Sequence, residues 1–143
     1  DKAISVQLPA RARAVSFRPD LAIIDEGVLT HYFDLKTNMG WNRNFVDYLS
    51  EKNEFLRALR AKDAWIRYGK DIVQGIKISP ELIYQMVIVF GWNINQEQLG
   101  SNLLQAQHLD CVKVHVLAPY QATTKTCEVD QVAFDTILKT INK

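Results

Sequence analysis

The chain has 143 residues and a formal net charge of +1, which suits one domain and gives no global basic character of the kind that many nucleic-acid-binding proteins show. Its 48% hydrophobic and 23% charged residues exclude a disordered chain, and the longest apolar run, Met86 to Phe90, is too short for a transmembrane helix. No secretory signal opens the chain, and its two cysteines, Cys111 and Cys127, form no redox motif. We therefore expect a cytoplasmic protein, with a delivered toxin domain as the alternative.

Short strands are predicted near the start of the chain. The segment "ISVQLPARARAVSF" (4–17) alternates weakly and predicts one or two strands, broken at Pro9. The segment "SFRPDLAII" (16–24) predicts a further strand, because its apolar residues recur at period two. The turn residues 25–27, ending in a glycine, then lead into the return strand "VLTHYFDLKT" (28–37) of an antiparallel hairpin.

A long helix is predicted from Phe45 to about Tyr68, with Asn42 or Asn44 as its cap. A second start signal, "SPEL" (79–82), predicts a brief helix at most. The residues of the long helix that we expect to face the core are Phe45, Leu49, Leu56, Leu59 and Ile66, while Arg57, Arg60 and Arg67 fall on another side.

Strands alternate with helices in the second half of the chain. The segments "YQMVIVFGW" (84–92) and "VKVHVLAPY" (112–120) are typical of strands that are buried on both faces. The segment "NQEQ" (95–98) resembles a capping box, and "VDQVAFDTILKTIN" (129–142) predicts an amphipathic helix. Since such an alternation implies parallel pairing, whereas the early hairpin is antiparallel, we expect a single α/β domain over residues 1–143, with a mixed central β-sheet and flanking helices.

Three charged residues of the hairpin are expected to lie together. Side chains alternate along a strand, so Asp34 and Lys36 project from the same face as Tyr32, and the hairpin can return Asp20 to meet them. Two carboxylates on rigid strands suit Mg²⁺ or Mn²⁺, which would polarise a phosphoryl oxygen and activate a water. Lys36 can orient that water or neutralise charge in the transition state. The alternative is an ordinary acid–lysine pair on a solvated strand.

This arrangement resembles the signature of the PD-(D/E)xK nuclease superfamily. Pro19-Asp20 is followed, after thirteen intervening residues, by Asp34-Leu35-Lys36. The order of predicted elements, from the hairpin through the long helix to the two buried strands, is also similar to the restriction-endonuclease-like core of that superfamily. The resemblance rests on these few signature residues and on the order of the elements.

The resemblance implies a role for each signature residue. Asp20 and Asp34 would bind the divalent metal together with the backbone carbonyl of Leu35, and Lys36 would position the attacking water. Two departures from the pattern stand out. Many members carry an acid on a helix before the first strand, whereas here only Asp1 precedes Asp20, and the second acid is Asp rather than the commoner Glu.

The loop "NMGWNRN" (38–44) follows directly and adds polar groups near this hairpin. Asn38 and Arg43 are candidate nucleic-acid-binding residues, since amides and guanidinium groups commonly contact phosphates. The alternative is that the loop only caps the helix that follows.

The resemblance implies a Mg²⁺-dependent endonuclease that hydrolyses phosphodiester bonds, with DNA favoured as the partner. The start at Asp1 rather than Met suits a domain cut from a longer protein. Alternatives are an RNA-cleaving toxin-type nuclease domain, or a non-catalytic nucleic-acid or protein interaction module, both on the same fold. The two-fold symmetry of duplex sites makes a homodimer a further expectation, and no membrane partner is expected.

Overall fold

A computed structural model describes residues 3–9, 11–37, 39, 42–68, 70, 72–91 and 95–142 of the chain. Within these residues the chain forms ten strands and three helices. In chain order they are β1 (Ile4–Val6), β2 (Val15–Phe17), β3 (Leu21–Asp25), β4 (Val28–Lys36), α1 (Phe45–Leu59), β5 (Asp63–Tyr68), β6 (Ile72–Ile78), β7 (Tyr84–Phe90), α2 (Gln96–Ala106), β8 (Val112–Ala118), β9 (Tyr120–Gln121), β10 (Thr126–Cys127) and α3 (Gln131–Ile141).

Eight of these strands build one mixed sheet. Pairing follows the order β2-β1-β5-β6-β4-β7-β8, and β3 pairs with β4 beside this path. The β3–β4 hairpin is antiparallel, whereas β4 with β7 and β7 with β8 are parallel. The expected α/β domain with a mixed sheet and flanking helices is therefore confirmed. The parallel pairs occur where strands and helices alternate, because a helix returns the chain to the end of the sheet from which it left.

The core fills the space between one face of the sheet and the helices α1 and α2. The opposite face of β4 lies towards α3, where the Nε2 atom of His31 donates to the carbonyl oxygen of Thr140 at 2.7 Å. None of the described helices has the length and the apolar character that crossing a membrane requires. All five residues that the sequence assigned to the core are buried, namely Phe45, Leu49, Leu56, Leu59 and Ile66.

The predicted helix from Phe45 to about Tyr68 is wrong in its second part. The helix α1 ends at Leu59, and Ala61 turns the chain with a φ of 58°. The segment Asp63–Tyr68 then forms β5, in which Ala64 and Ile66 are buried between exposed or half-buried neighbours. Its period-two burial and its pairing with β1 and β6 override the weak helical spacing.

The predicted row of arginines on that helix is consequently split. Arg57 on α1 forms ion pairs with Glu54 at 3.0 Å and with Asp110 at 2.7 Å. Arg60 donates its Nε–H to the Leu82 carbonyl in the turn between β6 and β7, and Arg67 lies on β5. The three arginines therefore do not share one face of a helix.

Two further predictions need correction. The strand predicted over 16–24 is broken at 18–20, so that β2 pairs with β1 and β3 pairs with β4. Pro19 lies in this break, and proline has no N–H to donate to a ladder. The segment 79–82 is a turn rather than a helix, in which the Ser79 Oγ accepts from the Glu81 N–H at 3.1 Å, and it joins β6 to β7.

The remaining helices follow their predictions more closely. The side chain of Asn95 accepts from the Gln98 N–H and caps α2, and that of Asp130 accepts from the Val132 N–H and caps α3. However, no residue of α3 is fully buried, and Val132, one of its apolar residues, is 73% exposed. The amphipathic pattern therefore predicted the helix correctly but overestimated how far the sheet covers it.

Candidate metal and nucleic-acid site

The residues of the β4 strand that the sequence singled out line one side of a cleft. The cleft has a volume of about 510 Å³ and lies between β2, β4 and α1. Tyr32, Asp34 and Lys36 project into it from β4, as alternation along a strand requires. Asp34 is only 6% exposed, whereas Lys36 is partly accessible. The fold thus holds a carboxylate at the base of the cleft and an ammonium group nearer its mouth.

Asp20 is brought to the same edge of β4 by two hydrogen bonds. Its carboxylate Oδ2 accepts from the backbone N–H of Leu35 at 2.7 Å. In the opposite direction, the backbone N–H of Asp20 donates to the Oδ1 atom of Asp34 at 3.4 Å. The break at 18–20 makes this possible, because the chain leaves the β2 ladder there before it joins β3. The structure therefore brings Asp20, Asp34 and the Leu35 backbone together.

The carbonyl of Leu35 points to the same edge. Pairing with β3 reaches as far as Phe33, opposite Leu21, so the backbone of Leu35 extends beyond this ladder. In a strand, the N–H and the C=O of one residue are directed to the same side. Since the Leu35 N–H meets Asp20, the Leu35 carbonyl oxygen faces the same local space, while its side chain is 53% exposed.

Tyr84 is a member of the site that the sequence analysis missed. It lies on β7 opposite Tyr32, is fully buried, and donates its hydroxyl to the Oδ2 atom of Asp34 at 2.9 Å. Burial raises the pKa of Tyr84, and the neighbouring Tyr48 hydroxyl and the Asp34 charge raise it further, so the phenol keeps the proton that it donates. The sequence could have identified Tyr84, because it lies in an apolar central strand and a buried tyrosine hydroxyl usually has a hydrogen-bond partner.

These bonds decide which oxygens can meet a metal. Asp34 Oδ2 is held by Tyr84, Asp20 Oδ2 by the Leu35 N–H, and Asp34 Oδ1 accepts the longer bond from the Asp20 N–H. Because an ionised carboxylate oxygen has two lone pairs, Asp20 Oδ1 and the second lone pair of Asp34 Oδ1 remain for a ligand. Together with the Leu35 carbonyl they form a set of hard oxygen donors, which fits Mg²⁺ because this ion keeps several waters. Within the described ranges, no three or more His, Cys, Asp or Glu side chains cluster as a metal site. A metal here would therefore rely on two carboxylates and one carbonyl.

The cleft is more basic than acidic. Among the described residues, the acids that line it are Asp34 and Glu51, and the bases that line it are Arg11, Arg18, Lys36 and Lys52. Such an excess of cations attracts phosphate groups. Glu51 and Lys52 lie on α1, and the sequence assigned neither of them to the site. The sequence pattern that could have identified them is their spacing of three and four residues from Tyr48 and Phe55. This spacing places Tyr48, Glu51, Lys52 and Phe55 on one face of α1.

The structure bears on only one of the two predicted phosphate contacts in the loop before α1. Asn38 lies outside the described residues. Arg43 is exposed, precedes the N-cap position of α1, and is not among the residues that line the cleft. Its role in nucleic-acid binding stays a prediction.

No protein-family model, curated protein or solved structure matches the chain. Any functional argument therefore rests on the residues of the chain and on their geometry.

Proposed function

We propose that the chain is a metal-dependent endonuclease of the PD-(D/E)xK type that hydrolyses phosphodiester bonds, with DNA as the favoured substrate. The observation that carries the proposal is the 2.7 Å hydrogen bond between the Asp20 carboxylate and the Leu35 N–H. It brings the two halves of the signature, which lie on either side of the hairpin turn, together at one edge of β4. The antiparallel register that pairs Leu21 with Phe33 places Asp20 opposite Asp34, and the bond to the Leu35 N–H holds the Asp20 carboxylate there.

The order of the elements supports the same proposal. An antiparallel hairpin carries both acids, the helix α1 follows it, and the parallel strands β7 and β8 complete that part of the sheet. This order is similar to that of a restriction-endonuclease-like core. Fold alone does not define a reaction, so the argument for function depends on the site.

In the proposed mechanism, Asp20 and Asp34 would hold Mg²⁺ or Mn²⁺ together with the Leu35 carbonyl. When bound, the ion supplies Lewis-acid polarisation of a phosphoryl oxygen and lowers the pKa of a bound water. Lys36 orients the attacking water and offsets the negative charge that develops on the phosphate. Tyr84 restricts the rotation of the Asp34 carboxylate by holding its Oδ2 atom.

The test is cleavage of plasmid DNA and of RNA in Mg²⁺, Mn²⁺ or EDTA. We expect metal-dependent DNA cleavage that falls at least roughly a hundredfold in Asp34→Asn, because metal contributes several kcal/mol to such a transition state. The matched control is Asp25→Asn, which changes an exposed acid at the turn end of the same hairpin. Cleavage that persists in EDTA, or in the Asp34 variant, would contradict the proposed site.

Two other outcomes define the alternatives. Cleavage of RNA but not of DNA would assign the same site to a ribonuclease of the toxin type. Nucleic-acid binding without cleavage, together with no metal binding in calorimetry, would identify a non-catalytic interaction module. Dimer formation stays a prediction, to be checked by sedimentation with and without duplex DNA.

A further inference from the structure

Lys52 occupies an unusual position in the cleft. Its ammonium nitrogen lies 5.3 Å from the centre of the Tyr84 ring, 5.6 Å from that of Tyr48 and 5.9 Å from that of Phe55. Tyr48 and Phe55 come from α1 itself, whereas Tyr84 comes from β7. Three aromatic rings from two elements therefore surround one cation at the base of the cleft.

The ammonium group of Lys52 forms no ion pair with a carboxylate of the described residues. Among the described residues, the ion pairs involve Arg57, and no carboxylate lies within 4.0 Å of Lys52. Aromatic faces attract a cation through their quadrupole but provide no lone pair that satisfies an N–H donor. Lys52 is half-buried and lines the cleft, so its N–H donors can be satisfied by an anion that enters the cleft.

The side chain of Tyr84 contacts both Lys52 and Asp34. The Tyr84 ring lies beneath the ammonium group, and the hydroxyl of the same ring donates to Asp34 at 2.9 Å. Lys36 lines the cleft from the β4 side, and Lys52 lines it from the α1 side. An anion between the two lysines would lie in the cleft that Asp34 also lines.

We propose that Lys52 binds a phosphate oxygen of the nucleic-acid backbone and holds the phosphodiester beside Asp34. This inference rests on the proposed nuclease function and adds a substrate-binding group from α1 to it. Lysine binds phosphate as a point charge with three donors. The surrounding rings restrict the side chain, so less conformational freedom is lost when the phosphate binds.

The experiment measures the affinity of a labelled oligonucleotide in EDTA at several salt concentrations. Lys52→Met keeps the apolar stem against the rings but removes the charge, and we expect roughly tenfold weaker binding. The slope of log affinity against log salt should also decrease by about 0.7–0.9, as for the loss of one phosphate contact. Lys52→Arg should restore most of the affinity and of the slope.

The matched control is Lys77→Gln, which removes an exposed lysine on β6, away from the cleft residues. We expect wild-type affinity and slope for this variant. An unchanged salt slope in Lys52→Met, an equal loss in Lys77→Gln, or no rescue by Lys52→Arg would each overturn the inference. Lys52→Gln provides a second neutral variant if Lys52→Met does not fold, as judged by circular dichroism.

Different experimental results would refute the role of Lys52 and the proposed nuclease function. If the wild type cleaves nucleic acid but Lys52→Met binds it with the wild-type salt slope, only the role of Lys52 is lost. If the wild type neither binds nor cleaves any nucleic acid, the nuclease proposal and the role of Lys52 are lost together.

Discussion

The hydroxyl of Tyr84 donates a 2.9 Å hydrogen bond to the Oδ2 atom of Asp34, although fifty positions separate the two residues in the chain. The parallel pairing of β4 with β7 brings them together, with Tyr32 opposite Tyr84 and Asp34 opposite Met86. This bond satisfies a nearly buried carboxylate and fixes its rotation. It links the core of the sheet directly to the proposed metal site.

Tyr84→Phe should therefore affect stability and metal binding together. The substitution keeps the ring but leaves a carboxylate oxygen of Asp34 without its donor, which should lower the free energy of unfolding by about 1–3 kcal/mol. A freely rotating carboxylate should also bind Mg²⁺ or Mn²⁺ more weakly. Urea unfolding and calorimetric metal titration measure the two effects. The control Tyr32→Phe keeps the Tyr84–Asp34 bond and should bind metal like the wild type. A wild-type metal affinity in Tyr84→Phe would contradict the positioning role of Tyr84.

Mg²⁺ should stabilise the folded protein through Asp20. A ligand that binds only the folded state, at a hundred times its dissociation constant, adds about 2.7 kcal/mol to the free energy of unfolding. Asp20→Asn removes a ligand charge but keeps an oxygen that can accept from the Leu35 N–H, so the fold should persist without the Mg²⁺ effect. Thermal unfolding with MgCl₂ and with NaCl at equal ionic strength checks this. Equal shifts in the wild type and the variant would rule out Asp20 as a ligand.

Acidification should destabilise the protein through His115. This side chain is 8% exposed and lies 2.9 Å from the Gln85 Oε1, and burial, followed by the charge of Lys113, lowers its pKa. As the pH falls through the unfolded-state pKa of about 6.5, the unfolded chain binds a proton that the folded chain does not bind. The contribution of His115 to the free energy of unfolding should therefore be constant above that pH and decrease below it.

The expected loss from His115 is at most about 1.4 kcal/mol per pH unit, until the folded-state pKa is reached. Urea unfolding between pH 7.5 and about pH 5.5 measures it, since carboxylates titrate mostly below this window. In His115→Gln the slope should be smaller. His108→Gln, which changes an exposed histidine, should keep the wild-type slope for this group.

The end of α1 predicts opposite signs for two alanine substitutions. Ala61 has a φ of 58°, a conformation that costs an L-residue about 1–2 kcal/mol but is open to glycine. Ala61→Gly should therefore stabilise the protein by up to about 1 kcal/mol after the added chain entropy of the unfolded state. Ala58→Gly lies inside α1 and should destabilise it by about 1 kcal/mol. Denaturant unfolding of both variants measures the difference, and destabilisation by both would show that the helix continues past Ala61.

Local patterns in the sequence were sufficient for much of the fold. Alternation along a strand predicted that Asp34 and Lys36 share a face, and both line the same cleft. Capping chemistry predicted the start of α2 at Asn95. These features depend on residues within a few positions of each other, whose relation is set by the geometry of a strand or of a helical turn.

Other features depend on partners that are distant in the chain. The segment that begins at Asp63 is a strand because β1 and β6 pair with it, and these contacts override its local preference. Local patterns gave only a hint of Tyr84 and Lys52, because Tyr84 meets Asp34 across the parallel β4–β7 pair and Lys52 meets the Tyr84 ring through the packing of α1 on the sheet.

The sequence by itself determined that two acids and a lysine occur on a hairpin, with the spacing that alternation needs to group Asp34 with Lys36. Only the tertiary structure decided that Asp20 turns back onto the Leu35 N–H, that Tyr84 holds Asp34, and that Lys52 approaches from α1. The reason is physical: strand and helix periodicity fixes directions over a few residues. The position of one element against another is set by core packing, which sums contacts over the whole chain.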